Sequence, residues 1–191
     1  MKRFCDIILS ILSLIIFSPM ILAISLAILI DDGSPVIYSQ KRVGKDGKEF
    51  TLYKFRSMRK GTENDGVPHL YVGTDNTSDT RVGVFLRRHH LDEFPQLWNV
   101  LKGDMSFVGY RPERRYFIDK IMERNPDYQR LFAIRPGLFS RATLYNGYTD
   151  SIEKMLIRLD MDLEYLEHHN LWDDFVIIMK TTFSVITGKV F

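Results

Sequence analysis

The N-terminal apolar run constrains this chain more than any other stretch. From Ile7 to Ile30 nearly every residue is apolar, and the interruptions are Ser10, Ser13, Ser18, Pro19 and Ser25. About 20 apolar residues suffice to cross a bilayer as a helix. Pro19 stands in the middle of the run, and a proline removes one internal hydrogen bond and clashes with the preceding turn. The Ser18 hydroxyl can satisfy a freed carbonyl, so a bend is tolerable in lipid. Each half is then about 12 residues, roughly 18 Å of helix, which reaches about halfway through a ~30 Å core. Both flanks are basic, with Lys2 and Arg3 before the run and Lys41 and Arg42 after it. The positive-inside tendency puts both on the cytoplasmic face. A helix that bends at Ser18-Pro19 and leaves by the face it entered meets both demands; a straight span is the competing reading. The run is too long for a cleaved signal peptide and no small-residue cleavage site follows it. The expectation is a re-entrant helix over residues 1–32 and a second unit over 33–191.

The full chain of 191 residues suits one domain with an appendage. With 45% hydrophobic and 26% charged residues it is globular rather than disordered. A net charge of +2 argues against a nucleic-acid binder. The charge is uneven, however. Between Lys41 and Lys60 eight basic residues face two acidic ones, Asp46 and Glu49. Such a patch suits anionic lipid headgroups, phosphates or nucleic acid. Cys5 is the only cysteine, so no intrachain disulfide forms.

The rest reads as α+β. Val36–Tyr38 looks like a short strand, residues 43–48 like a hairpin turn, and Phe50–Arg56 like a strand with Lys54 and Arg56 on one face. Gly61–Thr80 is a polar loop and a candidate lid; no metal spacing supports its His69 or Asp75 as a ligand. Arg81–His90 is helical, and His89-His90 is a solvated pair rather than a metal site. A helix is expected over Glu113–Arg124 with Tyr116, Phe117 and Ile121 buried, a strand over Leu138–Tyr145, and a strongly periodic helix over Ser151–His168. Leu171–Phe191 is apolar yet carries Asp173, Asp174, Lys180 and Lys189, which suits a helix lying on a bilayer surface.

Chemistry concentrates between Leu91 and Glu113. Asp92 and Glu93 precede an apolar helical pattern at Phe94, Leu97, Trp98 and Leu101, which Gly103-Asp104 ends. The two acids also suit a helix start for purely structural reasons, through capping and the macrodipole. An ionised carboxylate there is equally a nucleophile or a ligand for a hard cation. Adjacent acids diverge on a regular helix, but at a bent helix start both can approach one Mg²⁺, which takes one or two carboxylates plus substrate phosphates. Arg111, between Gly109 and Pro112, suits a bidentate phosphate clamp, with Lys54, Arg87 and Arg135 to complete it.

These residues resemble those of the monotopic phosphoglycosyl transferases, bacterial sugar transferases that act on polyprenyl phosphate. The likeness covers nearly the whole chain. It includes the Ser18-Pro19 bend, Tyr53-Lys54-Phe55-Arg56-Ser57-Met58 and, most specifically, the run from Leu91 to Ser106, LDEFPQLWNVLKGDMS. Arg135-Pro136-Gly137 and the surroundings of Asp162 and Asp174 agree more weakly. The resemblance implies a re-entrant membrane helix, amphipathic interfacial helices and a small cytosolic α/β catalytic domain at the bacterial cytoplasmic membrane. It implies transfer of sugar-1-phosphate from a UDP-sugar to undecaprenyl phosphate, with release of UMP, at the start of capsule, O-antigen or other glycoconjugate synthesis. Asp92 is then the nucleophile that carries a covalent phospho-sugar. Glu93 completes the dyad, and both acids hold Mg²⁺. Lys54, Arg56, Arg87, Arg111 and Arg135 bind phosphate or nucleotide, and Asp162 is a further candidate. Membrane lipids are partners, nucleic acid is not, and a homodimer is allowed.

Two departures stand out. The family's usual Gly-Pro-Arg-Pro is Gly109-Tyr110-Arg111-Pro112 here, which suggests that Tyr110 touches the sugar or nucleotide. After Gly137, where a threonine-glycine and an aromatic are common, stand Leu138, Phe139, Ser140 and Arg141. The chain is expected to carry no fused sugar-modifying domain. A membrane-bound nucleotide-sugar hydrolase and a non-enzymatic membrane scaffold are the alternative functions.

Overall fold

The apolar run breaks where its proline requires. In the computed structural model, which describes residues 1–61, 78–146, 149 and 151–187, α1 (Lys2–Ile16) and α2 (Ser18–Asp32) meet at an angle of 61°. Ser18 Oγ donates to the carbonyl of Ile15 at 2.8 Å, beside the bend. Among the described residues no single helix is long and apolar enough to cross a membrane; the bent pair passes that test together. His69 and Asp75 lie outside the described residues.

The first helix is inside out. Its buried residues are Asp6 and Ser10, while Phe4, Ile8, Leu9, Leu12 and Ile15 are exposed. A buried carboxylate needs partners, and Asp6 accepts from Ser106 Oγ at 2.9 Å and from the Phe107 amide at 3.0 Å. Arg3 donates to the carbonyls of Val100 and Leu101 at 2.5 and 2.8 Å. Lys2 Nζ pairs with Asp174 Oδ2 at 2.5 Å. The basic start of α1 is therefore bound to the rest of the chain.

A hairpin follows, β1 (Ile37–Val43) antiparallel to β2 (Glu49–Phe55), in register from Ile37 opposite Phe55 to Val43 opposite Glu49. Its turn needs left-handed backbone at Asp46 (φ 58°) and Gly47 (φ 69°), residue types that tolerate it. Then come α3 (Arg81–Arg88), a 3₁₀ turn at Leu91–Glu93, α4 (Gln96–Lys102) and β3 (Ser106–Val108). After α5 (Arg115–Met122) and a 3₁₀ segment at Pro126–Ala133, β4 (Gly137–Phe139) pairs in parallel with β3. A Cβ on Gly137 would stand 2.1 Å from the Gly109 nitrogen, so glycine is what lets these backbones approach. The chain goes on through α6 (Arg141–Asn146), α7 (Ile152–His168) and α8 (Leu171–Thr187).

Three expectations are corrected. The strand foreseen over Leu138–Tyr145 stops at Phe139, and Arg141–Asn146 is helical. In α5 the buried stripe is Phe117, Ile118 and Ile121; Tyr116 is turned outward. Tyr110 does not reach a ligand site. It is fully buried with Phe117, Ile121, Tyr128 and Leu159, and its hydroxyl finds no hydrogen-bond partner among the described residues. Burial, aided by Asp162, raises its pKa, so the phenol stays neutral.

A second cluster packs Phe50, Leu52, Leu97, Val100, Met105 and Phe107 between β2, α4 and β3. A third seats Ile24 and Ile28 of α2 on Phe55 and Leu86. Each such side chain contributes about 1.5–3 kcal/mol by leaving water. Together they fix β2 and α4, the two elements that frame the site.

Candidate active site

The acids reach one another through backbone geometry. His90 adopts a left-handed conformation, φ 52° and ψ 21°. That costs roughly 1 kcal/mol or more in a residue other than glycine, and such strain gathers at working sites. It leads into the tight turn Leu91–Glu93. Neither acid caps α4, which has no side-chain cap bond at all. Instead both carboxylates converge on one ammonium: Lys54 Nζ lies 2.6 Å from Glu93 Oε1 and 3.5 Å from Asp92 Oδ2. Arg111 Nη2 lies 3.2 Å from the same Glu93 oxygen. Asp92 is buried; among the described residues its side chain makes no hydrogen bond, and the lysine is its ion-pair partner.

The neighbouring acids are tuned apart. Burial pushes the Asp92 carboxyl up against the pull of Lys54, and the Glu93 charge beside it pushes the same way. Burial acts on Glu93 too, but Lys54, Arg111 and His90 outweigh it and hold Glu93 well below the usual carboxylate range. Glu93 is thus the fixed anion that neutralises the cations. Asp92 is the less committed carboxylate of the two.

Lys54 is aimed by a residue the sequence did not single out. Asn99, fully buried in α4, accepts from the Tyr53 amide at 3.1 Å and donates to the Thr51 carbonyl at 2.7 Å. It thereby pairs with β2 as a neighbouring strand would, next to Lys54. The apolar pattern at Phe94, Leu97, Trp98 and Leu101 skips position 99, so periodicity alone does not reveal it.

Arg111 is held from α7. Asp162 accepts from Ser140 Oγ at 3.1 Å, and the backbone N–H of Arg111 favours its ionised form. One turn earlier Arg158 donates to Glu113 Oε1 at 2.7 Å, and Arg42 donates to Glu113 Oε2 at 2.8 Å. Burial favours a neutral Glu113, yet Arg158 and Arg42 bring it down to about 2. The segment carrying Arg111 is therefore gripped on both sides.

The structure brings Lys54, Asp92, Glu93 and Arg111 together, with Asp162 behind them. It does not bring in the other expected cations. Arg56 is buried and turns to α2, donating to the carbonyls of Asp32 and Gly33 at 2.9 and 2.7 Å. Arg87 pairs with both carboxylate oxygens of Asp79 at 3.0 Å. Arg135 Nε donates to the Gly103 carbonyl at 2.8 Å, at the far end of α4. Asp174 accepts from Lys2 and Tyr165 rather than facing the dyad.

Two hard carboxylates sharing one cation position suit Mg²⁺, which accepts one or two acids and completes its shell with phosphate and water. Among the described residues no group of three or more His, Cys, Asp or Glu stands ready for a metal.

Fold and site together define a centre of two acids and two cations, set in a small α+β body behind a bent apolar helix pair. The chain belongs to the bacterial sugar transferase family, whose model matches residues 1–188. It is 37% identical over 187 residues to an Aeromonas hydrophila protein named UDP-N-acetylgalactosamine-undecaprenyl-phosphate N-acetylgalactosaminephosphotransferase, covering 98% of this chain and 44% of that protein. To the Escherichia coli K12 UDP-glucose:undecaprenyl-phosphate glucose-1-phosphate transferase it is 39% identical over 191 residues, 99% of this chain and 41% of the relative. The chain thus spans less than half the length of these two relatives. A Rhizobium leguminosarum exopolysaccharide production protein is similar from end to end, 37% identical over all of this chain and 98% of its own length.

Proposed function

We propose that this chain transfers sugar-1-phosphate from a UDP-sugar to undecaprenyl phosphate, through a phospho-sugar held covalently on Asp92. The observation that carries the proposal is the convergence of Asp92 and Glu93 on Lys54, with Arg111 against Glu93. The names of the relatives support the substrates.

In the first half-reaction Asp92 Oδ bonds to the sugar-bearing phosphorus. The bond from that phosphorus to the bridging oxygen breaks, and UMP leaves. In the second, a phosphate oxygen of the lipid attacks the same phosphorus. The aspartyl bond breaks, Asp92 returns as a carboxylate, and a polyprenyl diphosphosugar forms. A phosphoryl centre ringed by anionic oxygens repels an incoming carboxylate, so Lys54 and Arg111 serve to spread that charge. Asp92 and Glu93 would hold Mg²⁺, which supplies further neutralisation. Two steps at one nucleophile let donor and lipid use a single site in turn.

The lipid acceptor calls for a site at headgroup depth. The inside-out α1 and the 61° bend support a re-entrant seat in the cytoplasmic membrane. On α8 the residues Trp172, Phe175, Met179 and Phe183 are all more than half exposed and follow helical spacing, as in a helix resting on the bilayer.

The test uses purified protein in detergent with Mg²⁺, a panel of UDP-sugars and polyprenyl phosphate. Lipid-dependent release of UMP is expected, with at most one turnover when lipid is withheld. Steady release without lipid would mean a hydrolase, and no release from any donor would mean a scaffold.

A further inference from the structure

At the far end of α4 from the carboxylates, the start of α1, the β1–β2 turn, the segment entering β4 and the end of α7 enclose a cavity of about 160 Å³. Lys2, Arg3, Lys45, Arg135 and His169 line it, and Asp6 is the one carboxylate among the lining residues. That carboxylate is spent on Ser106 and Phe107. Arg3 and Arg135 gather there because the last carbonyls of a helix are unpaired and carry negative partial charge. Arg3 takes those of Val100 and Leu101, and Arg135 takes that of Gly103 through Nε alone.

Asp174 pairs with Lys2, and carbonyl dipoles offset only part of the other three clustered cations, Arg3, Lys45 and Arg135. Among the described residues neither Nη group of Arg135 nor the Lys45 ammonium has a partner. The cavity therefore offers unspent donors to an anion. It falls below the ~300–1,000 Å³ typical of pockets for drug-sized ligands, so a nucleotide-sugar does not fit but a single phosphate ester does. The seven residues of α4, about 10 Å of helix, separate it from the Asp92 centre.

We propose that this cavity is a second phosphate site, which takes the phosphodiester headgroup of an anionic phospholipid. The reason for a lipid lies in α1. Lys2 and Arg3 line the cavity, and the exposed apolar residues Phe4, Ile8 and Leu9 follow directly. A headgroup bound here leaves its acyl chains beside that apolar face. The lipid source rests on the membrane seat proposed above; the phosphate chemistry does not.

Native mass spectrometry of the full chain in detergent, with phosphatidylglycerol or phosphatidylcholine added, tests this. Losing charge-assisted bonds of ~1.4 kcal/mol or more corresponds to tenfold or greater weakening. Lys45→Gln with Arg135→Gln should therefore retain phosphatidylglycerol at least about tenfold less well than the unaltered chain, with phosphatidylcholine unchanged. Arg135→Lys should behave nearly as the unaltered chain. Lys45→Gln alone removes no contact among the described residues and keeps the test open if the double variant misfolds. Arg111→Gln should retain the lipid fully, whether or not the transferase reading holds. Equal retention by the double variant, or loss on Arg111→Gln, would overturn the site. Inorganic phosphate binding as tightly as the lipid would overturn the headgroup assignment.

Discussion

The Asp6 carboxylate, near the start of an apolar helix, accepts the Ser106 hydroxyl at 2.9 Å although the two residues stand 100 positions apart. The same carboxylate takes the Phe107 amide, so α1 is fastened to β3, the strand that leads into Arg111. Asp6→Ala leaves a buried hydroxyl and a buried amide without their acceptor, at a cost of about 1–3 kcal/mol. Thermal unfolding in detergent should show a lower midpoint. An unchanged midpoint would mean that the latch contributes nothing.

Asp92→Asn keeps the shape of the site but removes the oxygen nucleophile. Turnover should vanish, and so should covalent labelling by a donor radiolabelled in its sugar. Labelled protein surviving denaturation of the variant would assign the nucleophile elsewhere.

Lys54 is the largest of the influences holding Glu93 low, against burial that pushes it up. In Lys54→Gln that opposition weakens, and Glu93 takes up its proton at a higher pH. The acid limb of the kcat/KM profile should move upward in pH. A profile merely scaled down, with its limb in place, would reject this linkage.

Arg158 and Glu113 form a buried pair, with side-chain exposures of 5% and 7%. Removing one partner of a buried pair typically costs about 3–5 kcal/mol. Arg158→Met should lower the denaturant midpoint accordingly, and kcat should fall because Arg111 loses its support. Full activity in a destabilised variant would separate the two roles.

Burial raises Asp162 to about 7, against the pull of Arg158 and the bonds from Ser140 and the Arg111 backbone. Between the ordinary carboxylate pKa, about 4, and that value, the folded chain binds a proton that the unfolded chain has released. The contribution is full below the ordinary pKa and is lost as pH rises through about 7. Asp162→Asn removes this dependence, so its stability relative to the unaltered chain should improve from pH 5 to pH 8. Melting curves whose difference is the same at every pH would refute the assignment.

Features set by near neighbours in the chain were legible in the sequence. Pro19 is disruptive inside a helix and tolerated only in a first turn, so a new helix starts there, and Ser18 supplies the hydroxyl; the bend follows from these two residues. The apolar period of Ser151–His168 gave α7 to within a residue, because a 3.6-residue repeat needs no partner to be recognised. The pairing of Asp92 with Glu93, and the family, were likewise readable as words in the sequence. What tertiary structure decided is which charges meet. Lys54, Arg56 and Arg135 are all cations near family motifs. Only Lys54 reaches the dyad, because Asn99 binds its strand to α4. Arg56 turns to the end of α2 and Arg135 to the end of α4, each drawn by unpaired helix carbonyls. Tyr110, which the motif suggested for ligand contact, was claimed by the core. A side chain's type fixes what it can bind, but the partner within 3 Å is chosen by how distant segments pack, and a linear pattern does not carry that distance.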